Sequence, residues 1–317
     1  MSTQRFSISP YLLLTLTCLF WAGNSVVGRA LRDDVPPITL SFWRWCIALA
    51  ILLPWIVRPL ARQWRAILLR WKVMVFLSLL GIPTYNTINY AALHTTTATN
   101  SALINSACTV MIIAVNYLLF RVRGTLRQWV GLAVSLTGVL VIVSRGEPQA
   151  LLALALVRGD ILLLIAALFW AVYTACLRWR PRELDQLTFA GTSILIGVIA
   201  LAPLYWWEAS HTPPIVFTPG VVAAVLYTGI FPSVLATLFW NKAVADVGAN
   251  RSGQFMNLVP VFGIALAVIF LDEALEVFHL VGAAVIFAGI YLATARVGHA
   301  DRRVSDGTTD AGPQTRD

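Results

Sequence analysis

Ten times along this chain a run of about twenty mostly apolar residues is bounded by charge or proline, the length a helix needs to cross a hydrocarbon core ~30 Å thick. The runs are 11–30, 38–57, 72–93, 97–119, 126–144, 159–178, 185–206, 219–243, 249–271 and 275–295. They predict an all-α polytopic membrane protein of ten transmembrane helices, with almost nothing left for a soluble domain. Composition excludes the alternatives. Of 317 residues 58% are apolar and 12% charged, against roughly 45–50% and ~25% in soluble domains. That leaves too little polar surface for a cytosolic enzyme, and far too much apolar surface for a disordered chain. The four cysteines, Cys18, Cys46, Cys108 and Cys176, all fall inside apolar runs without CxxC or His/Cys ligand spacing, so neither disulfides nor a metal is expected.

The net charge of +8 resolves into a sidedness. Eighteen of the 23 Lys and Arg fall in alternate loops and the two ends, including Arg58, Arg62, Arg65, Arg70 and Lys72. Only Arg29, Arg32, Arg145 and Arg158 fall on the other side, and Arg44 lies inside a span. Short basic loops stay in the cytoplasm, so both termini are predicted to be cytoplasmic in a multi-pass membrane protein. The charge then reflects topology and the anionic lipid surface rather than nucleic acid.

Two halves of the chain match. Leu19-Phe20-Trp21-Ala22 and Arg29 recur 149 residues on as Leu168-Phe169-Trp170-Ala171 and Arg178. At a shift of 151, Gly131 and Gly138 meet Gly282 and Gly289, and Thr109 meets Pro260. Each half holds five spans, and an odd number inverts the second copy, giving two inverted five-helix repeats of the kind common in secondary transporters. The expected division is a cytoplasmic segment 1–10, a first repeat 11–144, a periplasmic linker 145–158, a second repeat 159–296 and a disordered cytoplasmic tail 297–317.

Ionisable and polar groups inside a bilayer are costly and mark candidate solute paths. Arg44 is the outstanding one, about 9 Å inside the outer end of its span at ~1.5 Å per residue. Asn24, Asn86 and Asn105 lie in the same outer half on three other helices. A guanidinium fork suits a carboxylate or phosphate, which points to an anionic or zwitterionic solute. A tether from Arg44 to Asp33 or Asp34 is the structural alternative, and interhelical hydrogen bonding is that for the asparagines. In the second half Arg44 maps onto Ser193 and Asn24 onto Tyr173. There Trp170, Tyr173, Tyr227, Gln254 and Asn257 are candidates for aromatic walls and amide contacts, while Pro83, Pro232 and Pro260 are candidate hinges or static kinks. Every Asp, Glu and His falls in a loop, tail or span edge, so proton or sodium coupling through such groups is not expected. No P-loop, HExxH or GxSxG occurs, and no enzyme activity or cofactor is implied.

The motifs LFWAGNSVVGRAL, PPITLSFWRW, NSACTV and LRQWVGLAVSLTGVLVIV, with NLVPVFGIALAVIFLDEAL and LVGAAVIFAGIYLA in the second copy, resemble the bacterial EamA family of the drug/metabolite transporter superfamily over nearly the whole chain. The resemblance implies that each half closes with a Gly/acidic turn and a Gly-spaced last helix. Asp272-Glu273 fits that turn; Arg121-Val122 departs from it, as Thr109 departs from the expected proline. It also implies metabolite efflux, with amino acids or their derivatives foremost, by alternating access. A drug or lipid-like amphiphile exporter and a passive channel are the rival readings.

Overall fold

The computed structural model describes residues 8–96, 98–147, 149, 157–270 and 274–295, and its regular structure there is helical throughout. In chain order the helices are α1 (Pro10–Ala30), α2 (Pro37–Leu69), α3 (Trp71–Leu79), α4 (Tyr85–Leu93), α5 (Ala98–Phe120), α6 (Leu126–Val143) and α7 (Arg158–Cys176). Next come α8 (Gln186–Ala209), α9 (Pro219–Thr228), α10 (Ala236–Val247), α11 (Ala249–Gln254), α12 (Leu258–Phe270) and α13 (Val277–Thr294). Eight helical segments among the described residues are long and apolar enough to cross a bilayer. The predicted third and fourth spans are helical too: α3 continues through a π-turn (Leu80–Thr84) into α4, where Thr84, Asn86, Thr87 and Asn89 lower the apolarity, and α5 is apolar over Ile104–Phe120. Asp272-Glu273 and most of the predicted linker and tail lie outside the described residues.

Local chemistry sets the helix ends. Pro10, Pro37 and Pro219 occupy first-turn positions, where the missing N–H has no intrahelical role. Thr125 and Gln128 form a reciprocal capping box on α6. Two buried carboxylates, read from sequence as edge residues, satisfy helix starts, Glu208 that of a distant helix and Asp160 that of its own. Glu208 accepts from the backbone N–H groups of Ile38 and Thr39, at 3.2 and 2.6 Å, satisfying the start of α2. Asp160 accepts from Val157 N at 2.8 Å and from the Thr96 hydroxyl. The second predicted span ends at 57, yet α2 runs to Leu69, about 50 Å at ~1.5 Å per residue. Beyond Arg58 its inner face carries Ala66 and Ile67 against the core, while Gln63 donates to Asp185 at 2.7 Å.

Helices of the two halves interdigitate. α1 packs on α10 and α12, and correspondingly α7 packs on α4 and α5; α2 packs on α8, and α6 on α13. The last pair meets backbone to backbone. A Cβ at Gly138 would lie 2.6 Å from the Gly282 carbonyl oxygen, and one at Gly282 would lie 2.8 Å from that of Gly138. Close approach through small residues is how helices associate where lipid removes the hydrophobic drive between them. The outer surface is apolar, with Leu118, Ile199 and Phe270 exposed, as a lipid-facing surface requires.

The two proline-bearing π-turns sit 149 residues apart, at Pro83 (Leu80–Thr84) and Pro232 (Gly229–Leu235). Proline withdraws a backbone donor and crowds the carbonyl four residues back, and a π-turn absorbs the mismatch. Pro260 differs: it is the third residue of α12, just after a 3-10 turn (Phe255–Asn257), where an absent N–H costs little.

Candidate functional site

Arg44 is 2% exposed and sits among neutral oxygens. Its Nε donates to Ser233 Oγ at 2.7 Å, and its Nη1 to Tyr90 Oη at 2.5 Å, Asn86 Oδ1 at 3.2 Å and Asn24 Oδ1 at 3.3 Å. The tether to Asp33 or Asp34 is not formed. Asp33 pairs with Arg32, and neither ion pair found among the described residues involves Arg44. The guanidinium also lies over the rings of Trp45 and Tyr90, at 5.1 and 5.5 Å from their centroids, contacts that favour a cation.

The acceptors are themselves fixed. Tyr90 donates to Asn24 Oδ1 at 2.6 Å. The Asn86 amide donates to the carbonyls of Gly81 and Ile82, at 3.1 and 2.9 Å, inside the first π-turn. The Ser233 hydroxyl donates at 2.7 Å to the carbonyl of Thr228, four residues before Pro232 and so the one that this proline deprives of its ordinary donor. No hydrogen bond is formed by Nη2 among the described residues.

Arg44 borders a cavity of about 30 Å³, together with Trp21, Asn24 and Ser25 from α1 and Tyr85, Asn86 and Asn89 from α4. Asn105 of α5 and Met256 and Val259 of the second half complete the wall. That volume holds about two water molecules, too few to make room for an amino acid, so the space beside Arg44 is narrow in this conformation.

The four candidates from the first half, Asn24, Arg44, Asn86 and Asn105, thus converge. The five from the second half stand outside the cavity wall. Trp170 is the hub of an aromatic cluster with Trp21, Tyr85, Tyr173 and Trp240, at centroid distances from 4.8 to 5.7 Å. Through Trp21 and Tyr85 it backs the cavity without lining it. Tyr173 donates to Asn241 Oδ1 at 2.8 Å and lays its ring where a Cβ of Gly81 would be. Tyr227 covers Gly23 in the same way and donates to Phe20 O at 3.4 Å. Gln254 and Asn257 are buried near α5 and α6, bonded to Gln128 O and Thr109 respectively. Pro83 and Pro232 border the Arg44 network through their π-turns; Pro260 does not.

Sequence reasoning missed Tyr90 and Ser233. Tyr90 lies four residues after Asn86, one helical turn, and so shares its face; Ser233 adjoins a proline already flagged. Both signals were present in the chain.

The sequence pattern of the EamA-like transporter family matches this chain twice, over residues 8–144 and 157–295. A protein of Archaeoglobus fulgidus described as an uncharacterized transporter is 29% identical over 90% of this chain and 97% of its own length. The uncharacterized transporter YyaM of Bacillus subtilis is 24% identical over 90% of this chain and 94% of its own. A crystal structure superposes with a TM-score of 0.70 at 19% identity, covering 90% of this chain and 96% of that one, and supports the fold. The helices, the two-fold match and these relatives agree: the chain is a multi-pass membrane protein that belongs to the EamA-like transporter family.

Proposed function

We propose that this protein is a secondary transporter that exports or exchanges small metabolites bearing a carboxylate, amino acids or their derivatives foremost, across the bacterial inner membrane. The carrying observation is Arg44: a buried cation with four neutral acceptors, no carboxylate paired with it among the described residues, and one free nitrogen beside a cavity. A buried charge without a counter-charge is costly, and a solute carboxylate would compensate it with bidentate geometry. Transport proceeds by alternating access between two inverted five-helix repeats, 11–144 and 159–296, joined by a periplasmic linker, with both ends cytoplasmic. The inversion draws support from the exchange-symmetric packing of α1 and α7 and from the paired π-turns. Pro83 and Pro232 serve as hinges.

The test is efflux from proteoliposomes preloaded with labelled amino acids and organic acids, comparing wild type, Arg44→Ala and Arg44→Lys. Saturable, trans-stimulated efflux that falls about a hundredfold in both variants is expected, the equivalent of ~3 kcal/mol. Unsaturable flux would indicate a channel. A second reading, export of amphiphiles, is favoured by the apolar wall of Trp21, Met256 and Val259; under it both variants keep their efflux.

A further inference from the structure

We propose that Arg44 is a latch shared by the two proline-broken helices, and that a carboxylate entering the cavity opens it by taking the Nε edge from Ser233. The second clause rests on the anionic-solute reading above; the first does not.

The two π-turns belong to different halves, yet a side chain that hydrogen-bonds to the carbonyls of each is also an acceptor of the same guanidinium. In the first half Asn86 donates to the Gly81 and Ile82 carbonyls and accepts from Nη1; in the second, Ser233 donates to the Thr228 carbonyl, the one Pro232 deprives, and accepts from Nε. Each tie is therefore a two-bond relay that begins at one cation. Such relays polarise their members, so loss of the charge-assisted bond weakens the carbonyl bond behind it. The two turns are thereby coupled, though they lie far apart in the chain.

The free nitrogen sets how the latch opens. A guanidinium binds a carboxylate bidentately along the Nε–Nη2 edge or the Nη1–Nη2 edge. Nη2 is common to both and forms no hydrogen bond among the described residues. The two hydrogens of Nη1 are already shared by three acceptors, Asn24, Asn86 and Tyr90, whereas the Nε edge holds Ser233 alone, the acceptor that ties the second broken helix. The carboxylate therefore takes the Nε edge first, and Ser233 is a positioning residue that turns occupancy of the cavity into release of the second π-turn. Gly229, in that turn, packs so closely on α2 that a Cβ there would lie 3.1 Å from the Arg44 carbonyl oxygen, so movement of the turn is felt by the helix that carries the latch.

The test is amide hydrogen exchange on the full chain in lipid nanodiscs, monitoring peptides over 80–86 and 228–236 in wild type, Ser233→Ala and Ser233→Thr, with acetate or acetamide at equal concentration. Ser233→Ala is expected to speed exchange about tenfold in both turns, the loss of one charge-assisted bond, and Ser233→Thr to restore it. Acetate loosens 228–236 in wild type and adds little in Ser233→Ala, while acetamide does neither. Loosening confined to 228–236 in Ser233→Ala makes Ser233 a local cap and overturns the latch. Loosening of both turns with acetate inert throughout keeps the latch and sinks the anionic reading of the cavity. Should Ser233→Ala fail to assemble, Ser233→Cys, a weak donor and acceptor of similar size, reads out the same pair of turns at smaller amplitude.

Discussion

The first half places Asn24, Arg44, Asn86 and Tyr90 in one hydrogen-bonded group; 149 residues on, the same positions hold Tyr173, Ser193, Leu235 and Phe239. The backbone motif recurs, π-turn included, while the chemistry does not. One half supplies the polar floor of the cavity. The other contributes Met256, Val259 and, behind the cavity, an aromatic cluster whose buried indole nitrogens on Trp170 and Trp240 have no hydrogen-bond partner among the described residues. The comparison teaches that a duplicated scaffold can keep its backbone breaks paired while concentrating its polar groups in one copy. Within this site the guanidinium joins the two halves through its bond to Ser233.

The most severe way to break that comparison is to move the cation. Arg44→Ser combined with Ser193→Arg is expected to lower carboxylate efflux at least about a hundredfold and not to recover Arg44→Ser, because Leu235 and Phe239 offer no acceptors and an unpaired buried charge costs ~3–5 kcal/mol. Recovery in the double variant would show the halves to be chemically interchangeable.

Where the halves are equivalent, equal effects are expected. Gly138→Leu and Gly282→Leu each force side-chain atoms into the partner helix's backbone, costing about 3 kcal/mol by overpacking. Thermal unfolding in detergent should show similar losses for the two, and a large inequality would break the symmetry of the α6–α13 seam. Gly263→Ala, with nothing within 4 Å of its Cβ, is the control and gains up to about 1 kcal/mol in helix propensity.

A subtler pair sharpens the polar-against-aromatic contrast. Tyr90→Phe removes an acceptor from Arg44 and a donor to Asn24 and should cost ~1.5–3 kcal/mol, as bonds to charged groups do. Trp170→Phe removes an indole N–H that has no partner among the described residues, so its cost should stay at about 1 kcal/mol of packing. Denaturation of both variants in the same detergent gives the order, and a reversed order would place the structural weight of the site in the aromatic cluster.

The smallest effect lies at the start of α8. Burial disfavours the Asp185 carboxylate, but hydrogen bonds from the Thr188 hydroxyl and backbone, Gln63 and the Leu187 backbone outweigh it and hold its pKa below the usual range. Its contribution is therefore present above about pH 4 and is lost as pH falls further, through the lower folded-state value. Asp185→Asn should remove a small acid-side fall in melting temperature and leave neutral-pH behaviour nearly unchanged.

Much of the site was legible before the fold. Arg44 stood out because a cation in an apolar run has no cheap explanation, and Asn24, Asn86 and Asn105 because their depth matched it. Gln254 and Asn257 carried the same signal but turn toward α5 and α6, where Thr109 and Gln128 meet them. Depth along a helix comes from counting residues; rotation about its axis does not. A π-turn adds a residue and rotates the remainder of its helix by about 100°, so the faces presented after Pro83 and Pro232 could not be read from a regular 3.6-residue period.

Membrane residence, the apolar runs and the doubling of the motif were determined by the sequence alone, because lipid imposes length and apolarity on each segment separately. Only the tertiary structure decided that side chains tying both broken helices meet at one guanidinium, that the second half's polar candidates face elsewhere, and that the cavity is narrow. Those outcomes depend on contacts between residues far apart in the chain, Arg44 and Ser233 among them at a separation of 189, set by the packing of several helices at once, which no local pattern encodes.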